Sequence, residues 1–449
     1  MVEPQSLTTL PYELVDHIGS YLCPVEEGNP QKALSQLTRT CKRLRDRFQP
    51  MLFRSYSHYQ QPVSRLVSFL RAITSRPELA AAVTKLVFWD PLETTSLSTI
   101  DKDFIDTCIA DRGLTGPADD WRIEGTNRHL PIETVLVYTP NIESLSIPVN
   151  EEWNLDLLPE FSSASPKIEF LSLRDLSIYY YYISGDGWAI HYGQIAPLLE
   201  ASPNLEHLSL PTVEGFWEHY DATVPPMKSL LSLDLGESSP GMFFIKSIIK
   251  ATESLRKFKL HWIRSTGYDE SHEDWTVAEI WDALTHVKET LEEIIFDPSI
   301  EIPLGSPTAN SLSSLADFLK LRVLKVNGRS LEGLFHAWTF QTGRSDMDEF
   351  VRQFFPSGLR TLVIWLPSPG LIPALFALAK AKFNGLFPDL TLVEIGASPV
   401  FKEWLPRPEW SRNEAELEDK FATAQVQLNM DIPYVPPELL NLAMQLGFA

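Results

Sequence analysis

Cysteine is scarce in this chain: Cys23, Cys41 and Cys108 are the three in 449 residues. Three thiols build neither a disulfide framework nor a paired metal-ligand set, so a reducing compartment, cytoplasmic or nuclear, is expected. Basic charge is short as well. Thirty-eight Lys and Arg stand against 59 Asp and Glu, a net of −21. That balance argues against nucleic acid as a partner, because phosphates reward a basic face. No apolar stretch reaches the ~18–20 residues a membrane span requires; the densest, 371–379, is far too short. The opening Met-Val-Glu-Pro-Gln lacks the basic segment and apolar run of a secretory signal.

Catalytic signatures are missing too. The sequence holds no G-x-G-x-x-G, no P-loop and no G-x-S-x-G elbow. A doubly wound nucleotide-binding enzyme therefore lacks its phosphate-cradling turn. His272-Glu273-Asp274, with Asp269 and Glu270 before it, is the one His–carboxylate cluster. It lacks the i, i+4 His spacing of a helical zinc site, and a solvated acidic loop is the simpler reading. A binding protein without metal or cofactor, rather than an enzyme, is expected.

What is present starts near the N-terminus. Pro11 suits the start of a helix, Glu13 faces the positive end of its dipole, and Leu14, Ile18 and Leu22 recur at intervals of four. A second helical pattern runs through Leu34, Leu37, Cys41 and Leu44 to Phe48. So much apolar surface on fewer than 55 residues makes a marginal core and calls for a partner. From residue 31 to 54 the chain carries Lys32, Arg39, Lys42, Arg43, Arg45, Arg47 and Arg54 against Asp46 alone, a net of +6 within a −21 protein. Such an island steers an acidic partner, or is simply the solvated face of the second helix.

Leu10-Pro11-Tyr12-Glu13-Leu14, then Ile18, Leu22 and Cys41-Lys42-Arg43-Leu44, resembles an F-box. Two departures stand out: the link at 25–31 is long, and Leu44 stands where many members have Trp. A plain helical cap explains the periodicity but not the Leu-Pro-x-Glu-Leu start combined with the Cys-Lys-Arg-Leu spacing.

Behind it a Leu-x-x-Leu-x-Leu pattern recurs ten times. It begins with Val83-Leu86-Phe88, Ile142-Leu145-Ile147, Ile168-Leu171-Leu173, Leu205-Leu208-Leu210 and Leu230-Leu233-Leu235. It continues with Leu255-Phe258-Leu260, Leu291-Ile294-Phe296, Leu321-Leu324-Val326, Leu359-Leu362-Ile364 and Leu390-Val393-Ile395. Apolar–polar alternation at the end of each pattern predicts a short strand. Helix-period stretches lie between, through Phe244, Ile245, Ile248 and Ile249, through Val277, Ile280, Trp281 and Leu284, and through Leu371, Leu375, Leu378 and Ala379. This resembles an irregular leucine-rich-repeat solenoid, which implies a right-handed α/β horseshoe. Spacing runs from 25 residues (Leu205 to Leu230) to 59 (Val83 to Ile142), the longest gap leaving room for a degenerate repeat near 132–137. The family's Asn appears only as Asn150. The expected domains are an F-box at 1–55, a linker helix at 56–80, repeats at 81–398 and a C-terminal helical cap at 399–449. Glu414 to Val426 reads as a charged helix and Pro436 to Phe448 as an amphipathic one.

Together the two resemblances imply a non-catalytic target-recognition subunit of a Skp–cullin–F-box ubiquitin ligase, monomeric outside that complex. Leu10, Pro11, Leu14, Ile18, Leu22, Leu34, Leu37, Cys41 and Leu44 would form the F-box core and the contact with the Skp-type adaptor. A protein substrate would meet side chains beside the buried strand positions, notably Trp89, Arg174, Lys259, His261, Lys325 and Trp365. Tyr180 joins them from the run Tyr179 to Tyr182, which either anchors an interface or packs on its neighbours. The alternative is a repeat scaffold or inhibitor with no ligase, the first helices being only its cap.

Overall fold

The computed structural model describes residues 10–22, 30–89, 97–114, 129–149, 168–180, 192–211, 224–238, 242–262, 277–298, 314–343, 345–365, 369–396 and 408–431. It is an α/β protein whose strands pair in parallel, with helices between most of them in the chain. The chain divides into two compact bodies, residues 1–184 with 192–205, and residues 185–191 with 206–449.

The first body opens with α1 (Tyr12–Tyr21), α2 (Pro30–Thr38) and α3 (Lys42–Phe53). Pro11 stands just before α1, and its carbonyl accepts the Val15 N–H at 3.1 Å. The buried face of α1 is offset by one residue from the expected stripe. Val15 and Gly19 are buried and Ile18 and Leu22 half-buried, while Leu14 is 49% exposed. Val15, Leu34, Leu44 and Phe48 form a small core, edged by Leu10, Leu22, Leu37, Cys41, Met51 and Leu52. Gly19 lets α1 approach α3: a Cβ there would lie 2.7 Å from Met51 Sδ and 2.8 Å from Phe48 Cε1.

The body continues through β1 (Ser55–His58), α4 (Val63–Ser75), α5 (Pro77–Ala82), β2 (Lys85–Phe88), α6 (Thr99–Asp111) and α7 (Leu130–Tyr138). It ends with β3 (Ser144–Val149), β4 (Asp175–Tyr180) and α8 (Tyr192–Glu200). Strands β1 to β4 pair in order. Helix α4 buries Val63, Leu66, Val67, Leu70 and Ile73, a regular amphipathic stripe. Helix α7 occupies the place of the degenerate repeat expected near 132–137. Every side chain from Leu130 to Val137 is buried, so no polar face marks it as a helix and its apolar run mimics a strand.

The second body holds β5 (His207–Ser209), β6 (Ser232–Ser238), α9 (Met242–Lys250), β7 (Lys257–Trp262), α10 (Val277–Leu284), β8 (Glu293–Pro298) and β9 (Val323–Asn327). After these come α11 (Gly328–Thr342), α12 (Met347–Phe354), β10 (Thr361–Trp365), α13 (Ile372–Phe383), β11 (Leu392–Gly396), α14 (Pro408–Thr423) and β12 (Gln427–Asp431). Strands β5 to β12 pair in order. The strand ladder therefore runs past the expected limit at 398, and in the first body it starts at Ser55, before 81.

One construction recurs in both bodies. A tight turn brings in the first apolar residue, as Ile142 N–H to Thr139 C=O, Leu230 to Met227, and Leu390 to Phe387. A single carbonyl then accepts two successive N–H groups of the next strand. Thr84 takes Glu143 and Ser144; Arg256 takes Glu292 and Glu293; Arg322 takes Arg360 and Thr361. The following alternate residues are buried, for example Leu233 with Leu235, Phe258 with Leu260, and Ile294 with Phe296. Each such side chain contributes about 1.5–3 kcal/mol, and neighbours bury it only by stacking.

One repeat sits in a different register from the one expected. Leu171 is 54% exposed, whereas Leu173, Leu176 and Ile178 are buried and the last two lie in β4. The segment matches the pattern twice, five residues apart, and the second match is the folded one. In β6 the register shifts between Asp234 and Glu237. There Gly236 has φ +23°, its N–H is held by Asp234 Oδ1 at 2.9 Å, and a Cβ would come within 2.7 Å of Pro211 Cβ.

Candidate interaction surfaces

The offset of α1 decides what the N-terminal helices show to solvent. Leu34 and Leu44, two of the nine expected adaptor-site residues, fill the core; Leu10, Leu22, Leu37 and Cys41 lie half-buried at its edge, and Ile18 is half-buried on α1. Pro11 and Leu14 lie open. Tyr21, 74% exposed and a T-shaped neighbour of His17 at 4.7 Å, continues their side of the helix. Its spacing of seven from Leu14 could have disclosed it. Lys32, Arg39, Lys42, Arg43, Arg45, Arg47 and Arg54 are all exposed. Arg43 Nη2 donates to the Leu10 carbonyl at 3.1 Å, and Arg45 meets Asp46 at 3.4 Å. The surface thus pairs an apolar strip with basic charge.

On the first body's strands, Trp89 directly follows β2 and is 51% exposed, its ring 6.2 Å from Tyr179. Arg174, expected to face a substrate, is half-buried. It precedes β4, and its Nη1 donates to the Asn204 carbonyl at 2.8 Å, while Asn204 Nδ2 donates to Leu171 O at 2.9 Å. Its guanidinium ties neighbouring turns together. The Tyr180 side chain lies outside the described residues.

In the second body the strand face opposite the helices carries fixed charge pairs. Lys259 meets Asp234 at 2.8 Å, and Glu293 takes both Lys257 at 3.0 Å and Lys325 at 3.6 Å. His261 Nδ1 lies 3.7 Å from Asp297 Oδ2, and Asn327 Nδ2 donates to Asp297 Oδ1 at 3.3 Å. His261 and Trp365 are both buried, their rings 6.0 Å apart. Trp365 also clusters with Ile295 and Val363. Lys259 and Lys325 are therefore partnered and half-buried, and His261 and Trp365 are enclosed. The double role of Glu293 was not foreseen, because only strand register brings both lysines to it.

Among the described residues no group of three or more His, Cys, Asp or Glu could hold a metal ion, and no helix is long and apolar enough to cross a membrane. Asp269, Glu270, His272, Glu273 and Asp274, Tyr181 and Tyr182, Asn150, the link at 25–29, and the amphipathic segment expected at 436–448 lie outside the described residues. Comparison of the chain with models of known families gives no match, and comparison with curated proteins gives none either.

Proposed function

We propose that this protein is the target-recognition subunit of a Skp–cullin–F-box ubiquitin ligase. Helices α1 to α3 dock on an acidic Skp-type adaptor, and the repeats hold a protein substrate. The reading is carried by the open strip of Pro11, Leu14 and Tyr21 beside the exposed basic side chains, in helices whose sequence resembles an F-box. Apolar side chains left together in water are characteristic of a surface that meets a partner, and the basic rim speeds encounter with an acidic one. The chain makes no covalent bond to ubiquitin; a separate E2 enzyme does the chemistry, and this subunit supplies proximity and orientation. No cofactor is required, and the complex works in cytoplasm or nucleus.

A second reading has its own observation. Phe53 at the end of α3 stacks on Phe69 of α4 at 5.6 Å, and Arg76 Nη1 donates to Gln49 Oε1 at 2.6 Å. Helix α3 is thus packed into the first repeats, as the cap of a ligase-free scaffold would be. Reconstitution with purified Skp-type adaptor and cullin separates the two. Co-migration on gel filtration supports the ligase reading; separate migration at micromolar concentration supports the scaffold.

A further inference from the structure

We infer that Arg43 is a positioning residue, distinct in role from the basic rim around it: its guanidinium fixes the entry of α1 and so sets the docking strip. The inference rests on the adaptor reading above and deepens it. The Pro11 carbonyl takes the Val15 N–H at 3.1 Å, as the first bond of the helical ladder. The carbonyl of Leu10, one residue earlier, is held by a side chain instead, Arg43 Nη2 at 3.1 Å. That bond crosses 33 residues of sequence and joins the entry of α1 to the first turn of α3.

Two attachments then decide how α1 is turned about its own axis. At its entry, Leu10 is bonded to Arg43 and lends its side chain to the edge of the core that holds Leu44, the next residue. Further along, Gly19 meets Phe48 and Met51 of α3, where a Cβ would come within 2.8 Å of both. Held at both places, α1 keeps Val15 and Gly19 inward and turns Pro11, Leu14 and Tyr21 to solvent. Without the first attachment the strip is pinned only toward its far end, and Pro11 and Leu14 lose their fixed place relative to Tyr21.

A guanidinium suits this task because its donors are planar and rigid, whereas an ammonium on a flexible stem carries the same charge without a fixed direction. Hydrogen bonds with an ionised donor are also the stronger ones. Lys42 provides the contrast. It is exposed in the same turn of α3 and carries the same charge. A rim cation of that kind acts on encounter with an acidic surface, not on the pose of α1. A bond already made in the free chain lowers the cost of ordering on docking, so its loss is read mainly in dissociation.

The test measures association and dissociation rates on immobilised Skp-type adaptor for the full wild-type chain, Lys42→Ala, Arg43→Ala and Arg43→Lys, at low and high salt. Lys42→Ala is expected to slow association, an effect that fades in high salt. Arg43→Ala and Arg43→Lys are both expected to speed dissociation about three- to tenfold at either salt. Lysine would rescue a rim cation; it does not rescue a positioning guanidinium. Hydrogen exchange of residues 10–16 in the adaptor-free chain gives a readout that needs no partner. It should quicken in both Arg43 variants and stay unchanged in Lys42→Ala, with residues 44–53 protected in all. Wild-type dissociation in Arg43→Lys, or wild-type exchange at 10–16, overturns the inference. Lost protection at 44–53 in the Arg43 variants overturns it too, because Arg43 would then hold the bundle together rather than orient one helix. Absence of adaptor binding by the wild type removes the ligase reading, and exchange at 10–16 then decides the role of Arg43 by itself.

Discussion

Leu14 and Leu44 are close in sequence and opposite in role, and truncating each to Ala separates folding from docking. Leu44 is buried in the four-residue core of the helical bundle. Leu44→Ala removes buried carbons and leaves a cavity, a loss of about 2–5 kcal/mol. In a bundle this small that is enough to open α1–α3 locally. Leu14 already has 49% of its surface in water. Only the other half of a leucine's burial, about 1 kcal/mol, is at stake in Leu14→Ala. A partner covering the exposed half gains a similar amount, and more if Leu14 is a central anchor, about 1–3 kcal/mol or five- to 150-fold in affinity. Hydrogen exchange of residues 12–53 reads the first effect, and titration calorimetry with the Skp-type adaptor reads the second. Leu44→Ala should lose protection throughout the bundle; Leu14→Ala should keep it and bind weakly. Equal loss of protection in both variants, or unchanged adaptor affinity in a folded Leu14→Ala, would refute the reasoning.

Further outcomes follow from local geometry. Gly236→Ala forces a Cβ to 2.7 Å from Pro211 Cβ and 2.8 Å from its Cα at positive φ. A loss of about 1–3 kcal/mol is expected in thermal unfolding, against about 1 kcal/mol or less for Gly385→Ala, where nothing lies within 4 Å. Ser98 caps α6 by accepting the Asp101 N–H at 3.2 Å, so Ser98→Ala should cost about 1 kcal/mol. The Asp101 carboxyl is held below its usual 3.8 by the Ser98 hydroxyl and then by Arg71. Its stabilising contribution is complete above that value and is lost as pH falls through the lower folded one, so Asp101→Asn should blunt the drop in melting temperature on acidification from pH 5 to 3. Burial, and then Asp111, push the Cys108 thiol up to about 11. It should resist a maleimide at pH 8 in the native protein and react only after denaturation; prompt labelling would contradict its burial beneath α7.

Nine of the ten repeats were legible because Leu-x-x-Leu-x-Leu reports both the turn that buries its first position and the alternation that buries its last two. The exception at 168–178 was ambiguous for a physical reason: two overlapping matches bury equally well on paper, and only packing exposes Leu171. Strands β1 and β12 escaped notice because Ser-Tyr-Ser-His and Gln-Leu-Asn-Met-Asp are polar, as the outermost described strand of each body can be. Periodicity placed three of the helices well but set the stripe of α1 one residue off, since Leu14 and Val15 are both apolar and only the approach of Gly19 to Met51 chooses between them. That single offset separates surface from core in the N-terminal bundle. On the second body's face, His261 and Trp365 were expected to meet a substrate, and both are buried. Their enclosure by long-range packing could not be seen from spacing.

The most direct measurement is capture of the purified chain on immobilised Skp-type adaptor, alongside a Leu10→Ala/Pro11→Ala variant shown to be folded. Capture of the wild type at micromolar concentration or better, and its loss in the variant, is the predicted result. No capture of the wild type, or equal capture of both, would contradict adaptor docking through α1 and leave the helices as the cap of a scaffold.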